Sequence, residues 1–319
     1  MKDELRQVLR PVLGDDVDVE NLRPLTGGAS RITYAFDAVV GTNRRPLILR
    51  AAPTAEGQFA SMELEAAVQA AAAASGAPVP HILTASNSPA ALGSPYLICD
   101  EIAGETIVRK IARQLDDAGR ARLLDQCGQA LAAIHRAGTD IAELVERDEL
   151  AEWRQRLDDL GDTTATFEWA FRWLDANRPE PGPRTLTHGD FRMGNLIVDG
   201  STLAAVLDWE AVHIGDIHED LAWFCVRAWR FGAPPSMAAG GLGSIAEFAS
   251  AYEQAGGAAV DRDALRWWLV LGTLKWGIIC RYQAERHLSG QTRSVELAAI
   301  GRRVCENEWD ILDLVEQAS

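Results

Sequence analysis

Lysine is almost missing from this chain. Among 319 residues only Lys2, Lys110 and Lys275 carry an ε-ammonium, and arginine supplies every other basic side chain. Lys2 aside, wherever the chemistry asks for a cation in the first hundred residues a guanidinium must answer, with its own reach and fork geometry. Basic charge is short overall: 31 Lys and Arg face 46 Asp and Glu, a net charge of −15. That balance argues against a general nucleic-acid binder, which normally shows a basic face, but leaves room for a phosphate held by a few local arginines. Paired cysteines are absent too. Cys99, Cys127, Cys225, Cys280 and Cys305 form no CxxC and are odd in number, which points to reduced thiols rather than a disulfide framework or a zinc site. Long apolar runs are also lacking. The longest, Trp267 to Cys280, is broken by Lys275 and is too short to span a bilayer. The opening MKDELRQVLRPVLG is charged and amphipathic, without the apolar centre of a signal peptide. The expectation is a soluble cytoplasmic protein with no membrane or nucleic-acid partner and no obligate protein partner.

What is present is ordinary globular material. Hydrophobic residues make up 47% and charged residues 24%, and the length suggests two domains or one domain with two lobes. All ten tryptophans lie between Trp153 and Trp309, so the two parts differ in composition. Segments Arg31–Ala38, Pro46–Ala51, His81–Ala85 and Tyr96–Asp100 read as short strands. A helix is predicted from about Gln58 to Ala74, closed by Ser75-Gly76 and the APVP breaker. Beyond Gly104 the periodicity turns helical, over about 117–137, 141–176, 216–231, 243–256, 261–288 and 292–316. A loop and two short strands interrupt it between Thr185 and Trp209. The plan is an α+β chain: a β-rich lobe over residues 1–100 with one long helix, a connector at 101–104, and a helical lobe over 105–319.

The interruption carries the chemistry. It reads Leu186-Thr-His188-Gly189-Asp190-Phe-Arg192-Met-Gly-Asn195, then a hairpin, then Asp208-Trp209-Glu210. An Asn amide and an Asp carboxylate are hard oxygen ligands of the kind Mg²⁺ takes alongside phosphates and water. A second, separate Asp can accept the proton of an attacking hydroxyl. This HGDxxxxN…LDW pattern resembles the kinase-like phosphotransferases, the superfamily of aminoglycoside phosphotransferases and choline-kinase-type enzymes. The likeness is strongest to the subgroup related to the kinase-like domain of acyl-CoA dehydrogenase fusions, through Asp208-Trp-Glu210, Asp220-Leu-Ala-Trp223 and Cys225-Val-Arg227-Ala-Trp-Arg230-Phe-Gly232. The resemblance implies a bilobal protein-kinase-like fold and a reaction using ATP and Mg²⁺. By it Asp190 is the base of a catalytic loop at 186–195, and Arg192 reaches the γ-phosphate. Asn195 and Asp208 hold the metal, with Asp208 at the strand end 208–210, and His188 supports the loop. Glu210 either assists the metal or caps the hairpin.

The nucleotide side departs from the family pattern. Gly27, Gly28 and Ser30 lie between strands and suit a turn over phosphates. The family places a Lys on the third strand, paired with a helical Glu; here Leu47-Ile-Leu-Arg50 ends in Arg. Alternation puts Ile48 and Arg50 on one face, so Arg50 is the candidate for the phosphates. Its partner is Glu65, or else Glu63, with Arg31 next in line for the Arg50 role. Asp100 and Ile102, by position in the hinge, are expected to bind adenine through backbone groups.

Only 12 residues separate Asp208 from Asp220, too few for a long activation segment that would dock a protein substrate. The acceptor is therefore expected to be a small-molecule hydroxyl. Asp216, Asp220, Trp223, Arg227 and Arg230 recur at helical spacing, and a face carrying Trp223, Arg227 and Arg230 suits an anionic hydroxylated acceptor such as a hydroxyacyl compound. The plainer alternative pairs those arginines with Glu219 or Asp220. An aminoglycoside acceptor and a catalytically inactive nucleotide-binding scaffold are the competing functional readings.

Overall fold

The computed structural model describes residues 1–25, 31–52 and 61–316. The chain opens with a helix that the sequence reading did not include, α1 (Lys2–Leu13), whose Leu5 and Leu9 are one turn apart and fully buried. Strands β1 (Asp18–Leu25), β2 (Ile32–Val40) and β3 (Asn43–Ala51) follow, then helix α2 (Met62–Ala74) and strands β4 (Ile82–Ser86) and β5 (Tyr96–Asp100). The five strands form one antiparallel sheet in the order β1-β2-β3-β5-β4. Leu47 and Leu49 of β3 pack with α1 in one core, while Ile48 packs beside Met62, Leu97 and Cys99 on the opposite face. That alternation leaves Arg50 on the α2 side. Helix α2 starts at Met62 because the Ser61 hydroxyl accepts the Leu64 N–H.

The second part is mainly helical. Helices α3 (Val108–Gln114), α4 (Asp117–His135), α5 (Glu149–Asp159) and α6 (Ala165–Ala176) precede strands β6 (Arg184–Thr187), β7 (Leu196–Asp199), β8 (Thr202–Val206) and β9 (His213–Asp216). Helices α7 (Ile217–Cys225), α8 (Ile245–Gln254), α9 (Arg262–Leu288), α10 (Val295–Gly301) and α11 (Val304–Glu316) complete it. β7 and β8 form the expected hairpin, and β6 pairs with β9. Together the antiparallel sheet and the helical part make the protein-kinase-like fold.

Three predicted helices end differently. The helix expected over 141–176 is two helices, α5 capped by Asp148 and α6 capped by Thr164, with Gly161 at φ 65° in the turn between them. The helix expected over 292–316 divides into α10 and α11. The helix expected over 216–231 stops at Cys225, because Val226 is extended (φ −56°, ψ 134°); residues Arg227–Arg230 form a separate 3-10 turn. The single helical face expected for Asp216, Asp220, Trp223, Arg227 and Arg230 therefore does not exist. No helix among the described residues is long and apolar enough to cross a membrane.

Candidate active site

The segment 188–195 joins β6 to β7 and is held from below by α7. Asp220, fully buried, accepts the backbone N–H of His188 at 2.7 Å and of Gly189 at 2.9 Å, and contacts His135 Nε2 at 3.2 Å. Burial works against the Asp220 charge, yet the hydrogen bond and field of His135 hold its pKa below the usual carboxylate range. Gly189 has φ +78°, and a Cβ there would lie 2.6 Å from the Ala211 carbonyl oxygen. Only glycine turns the loop at that point.

His188 is the loop's strut. Its Nδ1 accepts the Asp190 N–H at 3.2 Å, which leaves Nε2–H to donate to the Leu207 carbonyl at 3.1 Å. Burial holds its pKa below the ordinary histidine value. A neutral ring with both nitrogens committed to backbone cannot serve as the base.

Asp190 is gripped on both oxygens. Oδ1 accepts from Trp223 Nε1 at 2.7 Å and Arg192 Nε at 3.0 Å, and Oδ2 accepts from Asn195 Nδ2 at 2.6 Å. The Asn195 amide nitrogen also donates to the Asp190 backbone carbonyl, at 2.9 Å. The Asn195 carbonyl accepts the Leu207 N–H at 2.8 Å, which ties the loop to the residue before Asp208. Asp208 itself sits at φ 67°, a left-handed conformation that Asp tolerates better than most side chains.

The sheet meets this loop through arginine. Arg50 Nη1 donates to Glu65 at 2.9 Å and Nη2 to Asp208 at 2.9 Å. Glu63 is elsewhere, bonded to Asn87 through both carboxylate oxygens, so Glu65 is the helical partner of Arg50. Arg31 donates to the other oxygen of Glu65 at 2.5 Å and lies 3.6 Å from Glu210. Glu210 thus faces the guanidinium of the residue just before β2. Burial raises the Glu65 pKa, against the pull of Arg50 and Arg31. Two arginines thus converge on one buried carboxylate where the family pattern has one lysine.

At the end of β5, before the connector expected to act as a hinge, Asp100 takes a bidentate grip from Arg45 at 2.6 and 2.9 Å, and its N–H donates to the His81 carbonyl. The Glu101 N–H donates to the Pro46 carbonyl, and among the described residues Ile102 is the first beyond β5 whose N–H has no backbone partner. Gly27, Gly28 and Ser30 lie outside the described residues.

Of the residues expected to face the acceptor, only Trp223 touches the loop. Arg227 is half exposed and pairs with Asp310 of α11, neither with Glu219 nor with Asp220. Arg230 makes no ion pair among the described residues, and partial burial together with the Arg227 charge pulls its pKa down. Arg192 lies over the Trp229 ring at 4.8 Å, and Trp229 in turn packs on Trp223 and Trp276. Lys275, legible in the sequence only as the charge that interrupts an apolar run, arrives beneath the loop with its Nζ 3.4 Å from the Gly189 carbonyl. Its isolation in an apolar helix was the available signal.

Fold and loop together resemble those of the kinase-like phosphotransferases. The chain belongs to the phosphotransferase enzyme family, whose family model matches residues 21–268. It is 26% identical to mouse acyl-CoA dehydrogenase family member 10 over 239 residues, 70% of this chain and 22% of the mouse protein. The chain thus spans about a fifth of that relative's length. A Ralstonia eutropha protein assigned to the aminoglycoside phosphotransferases shares the fold, with a TM-score of 0.81 at 19% identity over 99% of this chain and 98% of that one. A thermostable mutant of an aminoglycoside phosphotransferase, in ternary complex with AMP-PNP and hygromycin B, superposes with a TM-score of 0.62 at 18% identity, covering 99% of each chain.

Proposed function

We propose that this protein transfers the γ-phosphate of ATP to a hydroxyl of a small anionic acceptor in the cytoplasm, with Asp190 as the base. The observation that carries the reading is the grip on Asp190: Trp223, Arg192 and Asn195 fix both carboxylate oxygens on a loop tied to Asp208. A carboxylate so oriented takes the proton of an attacking hydroxyl. Arg192 and Arg50 offer fixed positive charge where negative charge develops on the transferring group. The AMP-PNP bound in the aminoglycoside phosphotransferase complex supports ATP as the donor.

The residues fit a magnesium ion. Asn195 commits its amide nitrogen to Asp190, which leaves its side-chain oxygen as a donor, and Asp208 gives one oxygen to Arg50 and keeps the other. Asn195 and Asp208 would hold the ion through these hard oxygens. When bound, Mg²⁺ neutralises phosphate charge and orients the oxygens. Gly27, Gly28 and Ser30 belong to the nucleotide set by sequence, and Asp100 and Ile102 by their place at the hinge.

Arg50 should matter for both binding and rate. Arg50→Ala is expected to raise the KM for ATP and lower kcat, while Arg50→Lys keeps part of the function, since charge survives and the bidentate geometry does not. Steady-state ATP titrations decide it; unchanged kinetics in Arg50→Ala would move the role to Arg31.

For the acceptor, Arg230, which has no ion pair among the described residues, is more informative than Arg227. Arg230 follows Trp229 in the chain and carries a guanidinium that an anion could pair with, whereas Arg227 is already engaged by Asp310. The mouse relative's name, an acyl-CoA dehydrogenase, supports a hydroxyacyl acceptor. Kinetics with hydroxybutyryl-CoA and with hygromycin B test this. Arg230→Ala is expected to raise the KM of the thioester by about 10-fold or more, the loss of a charge-assisted pair. Efficient hygromycin B turnover that Arg230→Ala leaves untouched would contradict the anionic acceptor.

A further inference from the structure

Four ionisable side chains are buried together under the loop that carries Asp190. Lys275 of α9 places Nζ 2.9 Å from Glu149 Oε2 and 3.6 Å from Glu219 Oε1, with its side chain only 12% exposed. Trp153 Nε1 donates to the same Glu149 oxygen at 2.8 Å, and His213 Nε2 lies 2.9 Å from Glu219 Oε2. Burial pulls the His213 pKa down, but Glu219 and Glu149 outweigh it and lift the value to about 9. The same contest leaves Lys275 well above its ordinary value, held charged by Glu149 and Glu219. Burial raises the Glu219 pKa against the pull of His213 and Lys275; with both carboxylates ionised, two cations and two anions balance. Glu149, His213 and Glu219 bring candidate ligand atoms within 4.8 Å of one another, as a metal site would. The Lys275 ammonium already bridges the two carboxylates, so a divalent cation would add uncompensated charge.

Such a cluster is a costly way to fill space. Apolar residues of similar volume commonly replace a buried ion pair at little or no loss of stability. Its placement gives the reason. The Lys275 ammonium faces the Gly189 carbonyl at 3.4 Å and lies 4.9 Å from the centre of the Trp223 ring, whose N–H holds Asp190 Oδ1. His213 Nδ1 donates to the Ala211 carbonyl at 2.9 Å, the same oxygen against which Gly189 turns. Asp220 fixes the amides of His188 and Gly189, and Lys275 fixes the carbonyl that follows. A cation on the face of the indole also restrains the ring from tilting away from Asp190.

We propose that Lys275 is a positioning residue for Asp190, setting the base through the Gly189 carbonyl and the Trp223 indole. The inference rests on the reading of Asp190 as the base. Its test uses kcat and KM for ATP with hydroxybutyryl-CoA as acceptor, and calorimetric binding of MgATP, in wild type and five variants, Trp223→Phe alone among them. Lys275→Met is expected to lower kcat by about 10- to 100-fold, as a displaced catalytic group does, with KM for ATP and MgATP binding within about twofold of wild type. Lys275→Met combined with Glu149→Gln removes the ion pair as a unit, restoring charge balance, and is expected to remain slow. Should Lys275→Met fail to fold, this double variant gives the answer. Lys275→Met in a Trp223→Phe background is expected to cost less than the product of the two single losses, since both act on one carboxylate. A double variant with Glu149→Gln that recovers wild-type kcat would overturn the proposal, leaving Lys275 as a counter-ion alone. Asp190→Asn separates the two levels: if it keeps wild-type turnover, the base assignment falls; if it is inactive while Lys275→Met is fully active, only the positioning role falls.

Discussion

Replacing Asp190 by Ala is expected to lower turnover by about 10²–10⁴ while MgATP still binds with close to wild-type affinity. A base acts as the acceptor hydroxyl gives up its proton, so its loss falls on the transition state, by about 3–5 kcal/mol at 1.36 kcal/mol per tenfold. The proposed nucleotide side keeps its contacts, because Arg50, Glu65 and Arg31 form a network that does not include Asp190. The Ala variant also releases Trp223 Nε1 and Asn195 Nδ2. Asp190→Asn is the closer control in shape: its oxygen can still accept from Trp223 and Arg192, while its amide NH2 replaces the oxygen that accepts from Asn195. Pre-steady-state and steady-state rates with a hydroxylated acceptor, next to calorimetry with MgATP, separate the two effects. Loss of nucleotide binding in proportion to rate would place Asp190 in the nucleotide site instead.

Asp208→Asn is expected to abolish the magnesium dependence of nucleotide binding and to reduce turnover at least as far as Asp190→Ala does. Asp208 is the carboxylate of the proposed metal pair, and a neutral amide in its place leaves a hard dication with no compensating charge from the protein. Asn is chosen over Ala because the backbone there is left-handed at φ 67°, which Asn accepts and Ala resists. The substitution also removes a carboxylate from Arg50, which Glu65 still neutralises. Binding of ATP is compared with and without magnesium by calorimetry. A variant whose affinity still rises on adding magnesium as in wild type would show that Asp208 does not hold the ion.

The candidate loop was legible because its residues are close in sequence. Asp190, Asn195 and Asp208 lie within 19 residues, and a single hairpin brings them together. The Arg50–Glu65 contact was legible in outline, since strand alternation chose the face of Arg50; which glutamate met it depended on Asn87, in the turn after β4, taking Glu63. The split of the helix expected over 141–176 was readable, too, from Gly161 and the capping Thr164, but the apolar period on either side outweighed those signals. The end of α7 was not readable. A 3-10 turn after an extended Val226 keeps arginines three apart, so spacing alone does not distinguish it from a continuing helix. Arg227 finds Asp310 across 83 residues, and Lys275 reaches Glu149 across 126; contacts of that range are set by packing, on which no local pattern reports.

The central claim is tested most directly by following the labelled γ-phosphate of ATP. Purified protein is incubated with magnesium and a panel of anionic, neutral and cationic hydroxylated acceptors, hydroxybutyryl-CoA and hygromycin B among them, and products are identified by phosphorus NMR. The account predicts a phosphomonoester on the hydroxyl of an anionic acceptor, formed by wild type, lost on chelating magnesium, and lost in Asp190→Asn. Tight magnesium-dependent ATP binding with no label transferred to any hydroxyl would contradict it and leave the protein a nucleotide-binding scaffold.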